Sequence, residues 1–161
     1  MSGLVRLLLV LPDTDASADN ERVLKLHRDL TAAGIEVRTV AIGPGPRGGL
    51  DAAVPVLAPS LRSPAAITQL RREQRWADVV ACSGGRAARV QALGGSRRRV
   101  PVVVLPRQDW SPGPGDELRS RSGLRGATVV ESWMPAESWV ELFSARAAGS
   151  GAGGGPAGGD G

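Results

Sequence analysis

The stretch Leu4–Leu11 (LVRLLLVL), followed by Pro12 and Asp13, decides the fold. It is short, almost entirely apolar and ended by a proline, which is typical of a strand buried on both faces of a parallel sheet. A second run, Val100–Leu105 (VPVVVL), is the richest in β-branched residues and predicts another core strand. Strands of this kind need helices covering both faces of their sheet.

Helical patterns alternate with the strand patterns along the chain. Val23, Leu24, His27 and Leu30 form one apolar stripe, which predicts a helix capped by Asp19 or Asn20, running to Ala33 and ended by Gly34. The other predicted elements are strands at Ile35–Ile42, Val54–Leu57, Ala77–Cys82 and Ala127–Val130, and helices from Ser63-Pro64 to Arg75, at Gly85–Leu93 and at Ala136–Ala147.

This alternation predicts the fold class and the domain limits. Right-handed crossovers between successive strands make the sheet parallel. We therefore predict an α/β fold: a single Rossmann-like domain over residues 3–147, with a mostly parallel sheet flanked by helices on both faces. Residues 148–161 carry no large apolar side chain, so they are predicted to be a disordered Gly/Ala-rich tail.

Composition and charge exclude several classes of protein. The net charge is +4, but Lys25 is the only lysine and the acidic residues lie scattered among the arginines, so no nucleic-acid partner is predicted. The single cysteine, Cys82, excludes an intramolecular disulfide and a zinc cluster, and no metal site is predicted. The apolar run Leu7–Leu11 is too short for a signal peptide, no stretch predicts a transmembrane segment, and a cytoplasmic location is expected.

Ligands of doubly wound sheets bind beyond the carboxyl ends of the strands, where the strand order reverses. Four segments are predicted to lie there: Pro12–Asp19, Gly43–Leu50, Cys82–Arg86 and Pro106–Gly115. The candidate ligand-binding residues within them are Asp13, Asp19, Ser83, Gly84, Gly85, Arg86, Arg107, Gln108 and Asp109.

The first of these loops argues against a nucleotide cofactor. A dinucleotide site needs glycines there, so that the backbone can approach the pyrophosphate, whereas this loop has no glycine and carries Asp13, Asp15 and Asp19. No cofactor is therefore predicted. A receiver domain would use an acidic pair such as Asp13 and Asp15 together with a lysine after the fifth strand, but Lys25 falls on the first helix.

The segment Cys82–Arg86 is the best candidate for an anion site, since Gly84 and Gly85 would expose amides at a helix start. The phosphatase pattern fails at Ala88. Cys82 is interpreted as a buried residue rather than a nucleophile, Ser83 as a possible helix cap, and His27 as a core or edge histidine. No catalytic residue is assigned, and Pro106–Gly115 fits a functional loop or an irregular connection equally well.

The order of these segments resembles one family. Leu4–Leu11, Asn20–Val23 (NERV), Leu30–Val37 (LTAAGIEV), Ala77–Val80 (ADVV), Val100–Val104 (VPVVV) and Thr128–Leu142 follow one another in the way of the N-terminal, acceptor-side domain of family 4 glycosyltransferases. The resemblance implies the GT-B arrangement, in which this domain binds the acceptor and a C-terminal domain binds the nucleotide sugar.

The chain also departs from that family where chemistry would occur. Ala18-Asp19 stands at the family's Gly-Gly, Pro106–Asp109 stands where the family often has a histidine, and the donor-binding domain is absent from the 161 residues. The resemblance then implies a domain that is not catalytic alone and that binds a sugar or glycolipid acceptor or a protein partner. The alternatives are a half-enzyme completed by a separate donor-binding chain and a regulatory, receiver-like domain.

Overall fold

The computed structural model describes residues 4–43, 49, 64–85, 87–88, 100–108 and 127–151. Its strands are β1 (Arg6–Leu11), β2 (Glu36–Ala41), β3 (Val79–Ser83), β4 (Val102–Leu105) and β5 (Thr128–Val129). Its helices are α1 (Ala18–Ala32), α2 (Pro64–Trp76) and α3 (Ala136–Gly151), and a further helical turn begins at Gly84.

The five described strands form one parallel sheet in the order β2-β1-β3-β4-β5. β1 and β3 lie inside the sheet, and every residue of β3 and β4 is buried. The apolar runs of the sequence predict this burial, because a strand covered by helices on both faces has no polar face. The predicted α/β, Rossmann-like domain is confirmed.

The two faces of the sheet form two separate apolar layers. Leu7, Leu9 and Leu11 of β1 pack in one layer with apolar side chains of α1 and α3. The alternate residues, Leu8 and Val10, pack in the other layer, which contains Leu70 of α2. Helices therefore cover both faces, and each side chain of β1 goes to the face that the period of two dictates.

The N-terminus of α1 differs from the prediction of a cap at Asp19 or Asn20. Ser17 is the cap, because its Oγ accepts a hydrogen bond from the Asn20 backbone N at 3.2 Å. Asp19 and Asn20 therefore lie inside the first turn, where both are buried. The helix ends as predicted, with Gly34 at a φ of 92°, a left-handed conformation that favours glycine.

The C-terminal helix runs further than the sequence indicates. α3 reaches Gly151, so the predicted boundary between residues 147 and 148 falls inside it. Residues 148–151 (AGSG) include two glycines, so helix propensity does not explain the extension; Trp139 and Phe143 anchor the helix in the core further upstream. Predictions for the strand 54–57, for most of the helix 85–93 and for residues 152–161 lie outside the described residues.

One surface contact fixes α2 against the edge of the sheet. Arg38 of β2 lies 3.3 Å from Glu73, measured from Nη1 to Oε2. The guanidinium carbon of the same arginine lies 4.1 Å from the ring centroid of Trp76. Such half-exposed contacts contribute little stability, and this one lies at the sheet edge formed by β2.

The cap of α1 supplies a first prediction. Ser17→Ala should lower the free energy of unfolding by about 1 kcal/mol, because it removes the acceptor for an amide of the first helical turn. Urea unfolding followed by circular dichroism measures the change. Thr68→Ala is the matched control, since the exposed Thr68 hydroxyl donates back to the Pro64 carbonyl of its own helix. A loss for Ser17→Ala no larger than that of the control would contradict the assignment.

Candidate functional site

The strand order locates the candidate site. The chain moves outward from β1 to β2, returns past β1 to β3 and continues to β4 and β5, so the direction reverses between β1 and β3. Crevices at such reversals, beyond the carboxyl ends of the strands, are where α/β sheets bind ligands. The segments after β1, β3 and β4 converge at this carboxyl edge.

Asn20 lies at the centre of this edge, with 0% of its surface exposed. Its side-chain Nδ2 donates to Asp13 Oδ1 at 2.9 Å and to the Asp15 carbonyl at 2.8 Å, with a longer contact of 3.4 Å to the Asp13 carbonyl. The Asp15 backbone N donates to the same Asp13 Oδ1 at 3.0 Å. The loop after β1 is thereby wrapped around one buried amide.

Arg107 connects this loop to the other two segments. Its Nη1 donates to Asn20 Oδ1 at 2.9 Å and to Ser83 Oγ at 3.2 Å. Ser83 ends β3 and is buried, while Arg107 follows β4. We call the side chains of Asp13, Asn20, Ser83 and Arg107 the Arg107 network. It joins the carboxyl ends of three strands by charge-assisted hydrogen bonds.

A second contact ties the same segments together. The backbone N of Gln108 donates to the carboxylate of Asp19, at 3.3 Å to Oδ1 and 3.2 Å to Oδ2. Asp19 lies in the first turn of α1, where the helix dipole stabilises a negative charge. A carboxylate therefore occupies the helix end that a phosphate group would use in a nucleotide-binding protein.

Gly84 makes room for the arginine. Its φ is 79°, and a Cβ built on it would lie 2.8 Å from Cδ of Arg107. Both the backbone conformation and the space exclude a larger residue. The sequence predicts exposed amides at Gly84 and Gly85, whereas both residues are buried and the Arg107 side chain lies against Gly84. Anion binding by this segment stays a prediction.

The structure brings together most of the predicted site residues, namely Asp13, Asp19, Ser83, Gly84, Gly85, Arg107 and Gln108. Arg86 and Asp109 lie outside the described residues. Asn20 was missed, because the sequence favoured it as a helix cap. A serine three residues before it is the signal that identifies Ser17 as the cap instead and turns Asn20 towards the loop.

Neither Cys82 nor His27 adds a reactive group to this site. Burial raises the pKa of the Cys82 thiol, so the thiolate that would act as a nucleophile is suppressed. His27 Nδ1 lies 2.7 Å from Thr39 Oγ1 on β2, on the flank of the sheet rather than in the Arg107 network. The interpretation of both residues as structural is consistent with these contacts.

The buried position of His27 gives a pH prediction. Burial, and secondly the charge of Arg28, lower the pKa of His27 below its ordinary value of 6.5. The unfolded chain therefore binds more protons below that pH, and stability falls as the pH is lowered through it. His27→Gln should remove this slope in urea unfolding measured between pH 7 and pH 5. A wild-type stability that is flat over this range would contradict the expectation.

The charges of the site are predominantly negative. The described residues of the carboxyl edge include three carboxylates, those of Asp13, Asp15 and Asp19, and one guanidinium, that of Arg107. The described part of the chain holds no group of three His, Cys, Asp or Glu side chains arranged to bind a metal ion. The arrangement is suited to hydrogen bonding with hydroxyl groups and opposes the binding of phosphate.

Comparison with known proteins assigns no family. No family model matches the chain, and no curated protein matches it at the significance required. Within the residues that the structure describes, no helix has both the length and the apolar character needed to cross a membrane.

Proposed function

We propose that this chain is a glycosyltransferase-like acceptor-side domain that binds a sugar or glycolipid acceptor and does not transfer sugar by itself. The observation that carries the proposal is the Asp19–Gln108 contact, at 3.2 Å and 3.3 Å. Asp19 stands at the family's Gly-Gly, and Gln108 stands in the segment where the family often has a histidine. The two departures from the family that we identified in the sequence therefore contact each other.

That contact supports a loss of transfer chemistry with retention of the fold. In the family it resembles, the first loop lets backbone amides approach the donor phosphate. Here the Asp19 carboxylate occupies the start of α1 and binds the loop after β4, so the same two loops are fastened to each other instead. Because a carboxylate repels phosphate, a nucleotide sugar is a poor ligand for this edge.

The remaining chemistry of the edge favours a neutral polyhydroxyl ligand. Hydroxyl groups donate to carboxylates and accept from amides and guanidinium groups. Asp13 and Asp15 are half-buried and Gln108 is exposed, so carboxylate and amide groups of the carboxyl-edge segments are accessible at the surface. Their loops are held in place before any ligand binds, which lowers the entropy lost on binding.

The proposal is tested by calorimetric titration of the full chain with methyl glycosides of glucose and mannose and, separately, with UDP-glucose and GDP-mannose. We expect binding of at least one neutral glycoside and no release of nucleoside diphosphate. Gln108→Ala should weaken the glycoside affinity about fivefold, the effect of one hydrogen bond, whereas Glu36→Ala, an exposed change on β2, should leave it unchanged. Turnover of a nucleotide sugar by the chain alone would refute the proposal.

The nucleotide-sugar assay also distinguishes the half-enzyme alternative from the non-catalytic proposal. The chain is used as bait in its native host, and the recovered proteins are added to the nucleotide-sugar assay. Sugar transfer that requires both the chain and the recovered protein would replace the non-catalytic proposal with a two-chain enzyme whose donor domain is separate. Binding of glycoside with no transfer in either case supports the acceptor-binding role.

A regulatory, receiver-like role is the second candidate, because the order of the described strands, β2-β1-β3-β4-β5, is also that of flavodoxin-like folds. Its site chemistry would centre on Asp13 or Asp15. Incubation with acetyl phosphate followed by intact-mass measurement tests it. A mass increase of one phosphoryl group, abolished by Asp13→Asn or Asp15→Asn, would favour this role, and an unchanged mass favours acceptor binding.

A further inference from the structure

We infer that Arg107 is a positioning residue that makes the segments after β1, β3 and β4 open and close as one cooperative unit. We also infer that Gly84 leaves the space that the Arg107 side chain occupies. The inference deepens the proposed function, since the closed unit would be the form that binds the acceptor. The coupling itself is a property of the protein without ligand. It is therefore measured without reference to any sugar.

The hydrogen bonds form a continuous path across the edge. Arg107 Nη1 binds both Asn20 and Ser83, and Asn20 in turn binds Asp13 and the Asp15 carbonyl. Arg107 and Asn20 are 87 positions apart in the sequence. Since the loop after β1 and the segment after β4 share this guanidinium, neither can move away without breaking a charge-assisted hydrogen bond.

Burial makes the coupling stronger than a surface contact would be. Asn20 is fully buried and Ser83 is 1% exposed. If the guanidinium withdrew, Oδ1 of the fully buried Asn20 would lose its observed partner, and leaving a buried acceptor unsatisfied costs more than the bond itself contributes. Opening one segment therefore exposes polar groups of the others, which favours joint opening.

Gly84 is shaped for this arginine and not only for its own turn. A Cβ at position 84 would lie 2.8 Å from Arg107 Cδ and 3.5 Å from Arg107 Cβ. Gly34 offers the matched contrast. Its φ of 92° is equally left-handed, but a Cβ built there meets nothing within 4 Å. The two glycines share the backbone requirement and differ in the contact with Arg107.

Native-state hydrogen exchange of the full chain without ligand tests the coupling. Arg107→Ala should accelerate exchange of the Asp15 and Gln108 amides together, by at least about tenfold, the factor that corresponds to loss of a hydrogen bond to a charged group. Arg107→Lys should give a smaller acceleration at the same amides, because lysine keeps the charge and loses the planar fork. The Glu36 and Asp78 amides, bonded to Val5 and Arg6 at the other end of the strands, should be unchanged.

Arg38→Ala is the control for removing an arginine, since Arg38 contacts Glu73 and Trp76. It should leave the exchange rates of the Asp15 and Gln108 amides unchanged. Acceleration of Gln108 without Asp15 in Arg107→Ala would overturn the inference, and so would equal acceleration of all amides. If the coupling is found but no glycoside binds, the proposed function fails and the positioning role stands.

A double-mutant cycle tests whether Gly84 is needed to accommodate the Arg107 side chain. Gly84→Ala and Gly34→Ala are each made in the wild type and in the Arg107→Ala background, and unfolding is measured in urea. Gly84→Ala should lower the folding equilibrium constant in both backgrounds. The decrease should be at least about fivefold smaller in the Arg107→Ala background than in the wild type, because the contact with the arginine side chain is gone there. Gly34→Ala should have the same effect in both. Equal behaviour of the two glycines would overturn the role of Gly84.

Discussion

Asn20→Asp is expected to destabilise the domain by about 3 kcal/mol at neutral pH, more than Asn20→Ala does. The two side chains have the same shape, but the substitution replaces the donor Nδ2 by an oxygen. That oxygen would face Asp13 Oδ1 and the Asp15 carbonyl, which the wild-type Nδ2 approaches to 2.9 Å and 2.8 Å. The oxygen that accepts from Arg107 is kept, so the variant removes the donor of the amide and adds a negative charge beside Arg107.

The same variant carries a pH signature. Burial and the Asp13 carboxylate favour the protonated form of the introduced group in the folded protein, whereas the Arg107 guanidinium at its other oxygen favours the charged form. We expect the first two effects to prevail, because the oxygen that replaces Nδ2 faces two acceptors. The folded variant therefore holds a proton that its unfolded chain has released, and its deficit relative to wild type should shrink as the pH falls from 7 towards 5. Urea unfolding of both proteins at the two pH values measures this. A variant as stable as wild type at pH 7 would contradict the hydrogen-bonding arrangement assigned to Asn20.

Phe143→Ala is expected to lower the free energy of unfolding by about 3–5 kcal/mol, the usual cost of emptying a fully buried aromatic site. Phe143 is 0% exposed and stacks on Trp139, with ring centroids 5.6 Å apart. Trp133 packs edge-to-face with Trp139, with ring centroids 5.7 Å apart. The cavity left by the substitution would therefore loosen the aromatic group that fastens α3 to the sheet.

Val140→Ala is the matched control for this substitution, since Val140 lies on the same helix and is half-buried. Its loss should be about 1 kcal/mol. Denaturant unfolding of the two variants compares them directly. Equal losses for Phe143→Ala and Val140→Ala would show that α3 does not contribute its aromatic residues to the core in the way described.

The sequence predicted the sheet well because burial on both faces leaves a strong local pattern. The runs around Leu7–Leu11 and Val102–Leu105 have no polar face, and this property depends on the strands alone. The C-terminal end of α1 was equally predictable, since Gly34 adopts a φ of 92° that other residues rarely adopt. The C-terminal end of α3 was not predicted, because the helix continues past Gly149 to Gly151, although glycine commonly ends a helix.

The candidate site was only partly predictable, for a different physical reason. Position beyond the strand ends identified Asp13, Asp19, Ser83 and Arg107 as neighbours, since topology alone brings such segments together. The pairing between them depends on side-chain contacts over 87 and 89 positions of sequence, which no local pattern encodes. The burial of Gly84 could not be predicted for that reason: the residue that contacts it, Arg107, comes from another loop.

The measurement that tests the account most directly is a titration of the isotopically labelled full chain with methyl glycosides, followed by amide chemical shifts. The account predicts saturable shifts at Asp15, Asn20 and Gln108, the residues whose amides lie in the carboxyl-edge segments. The amides of Glu36 and Asp78, at the opposite edge, should not move. Shifts confined to the opposite edge, or no shift with any glycoside, would contradict the proposal that this edge binds a sugar.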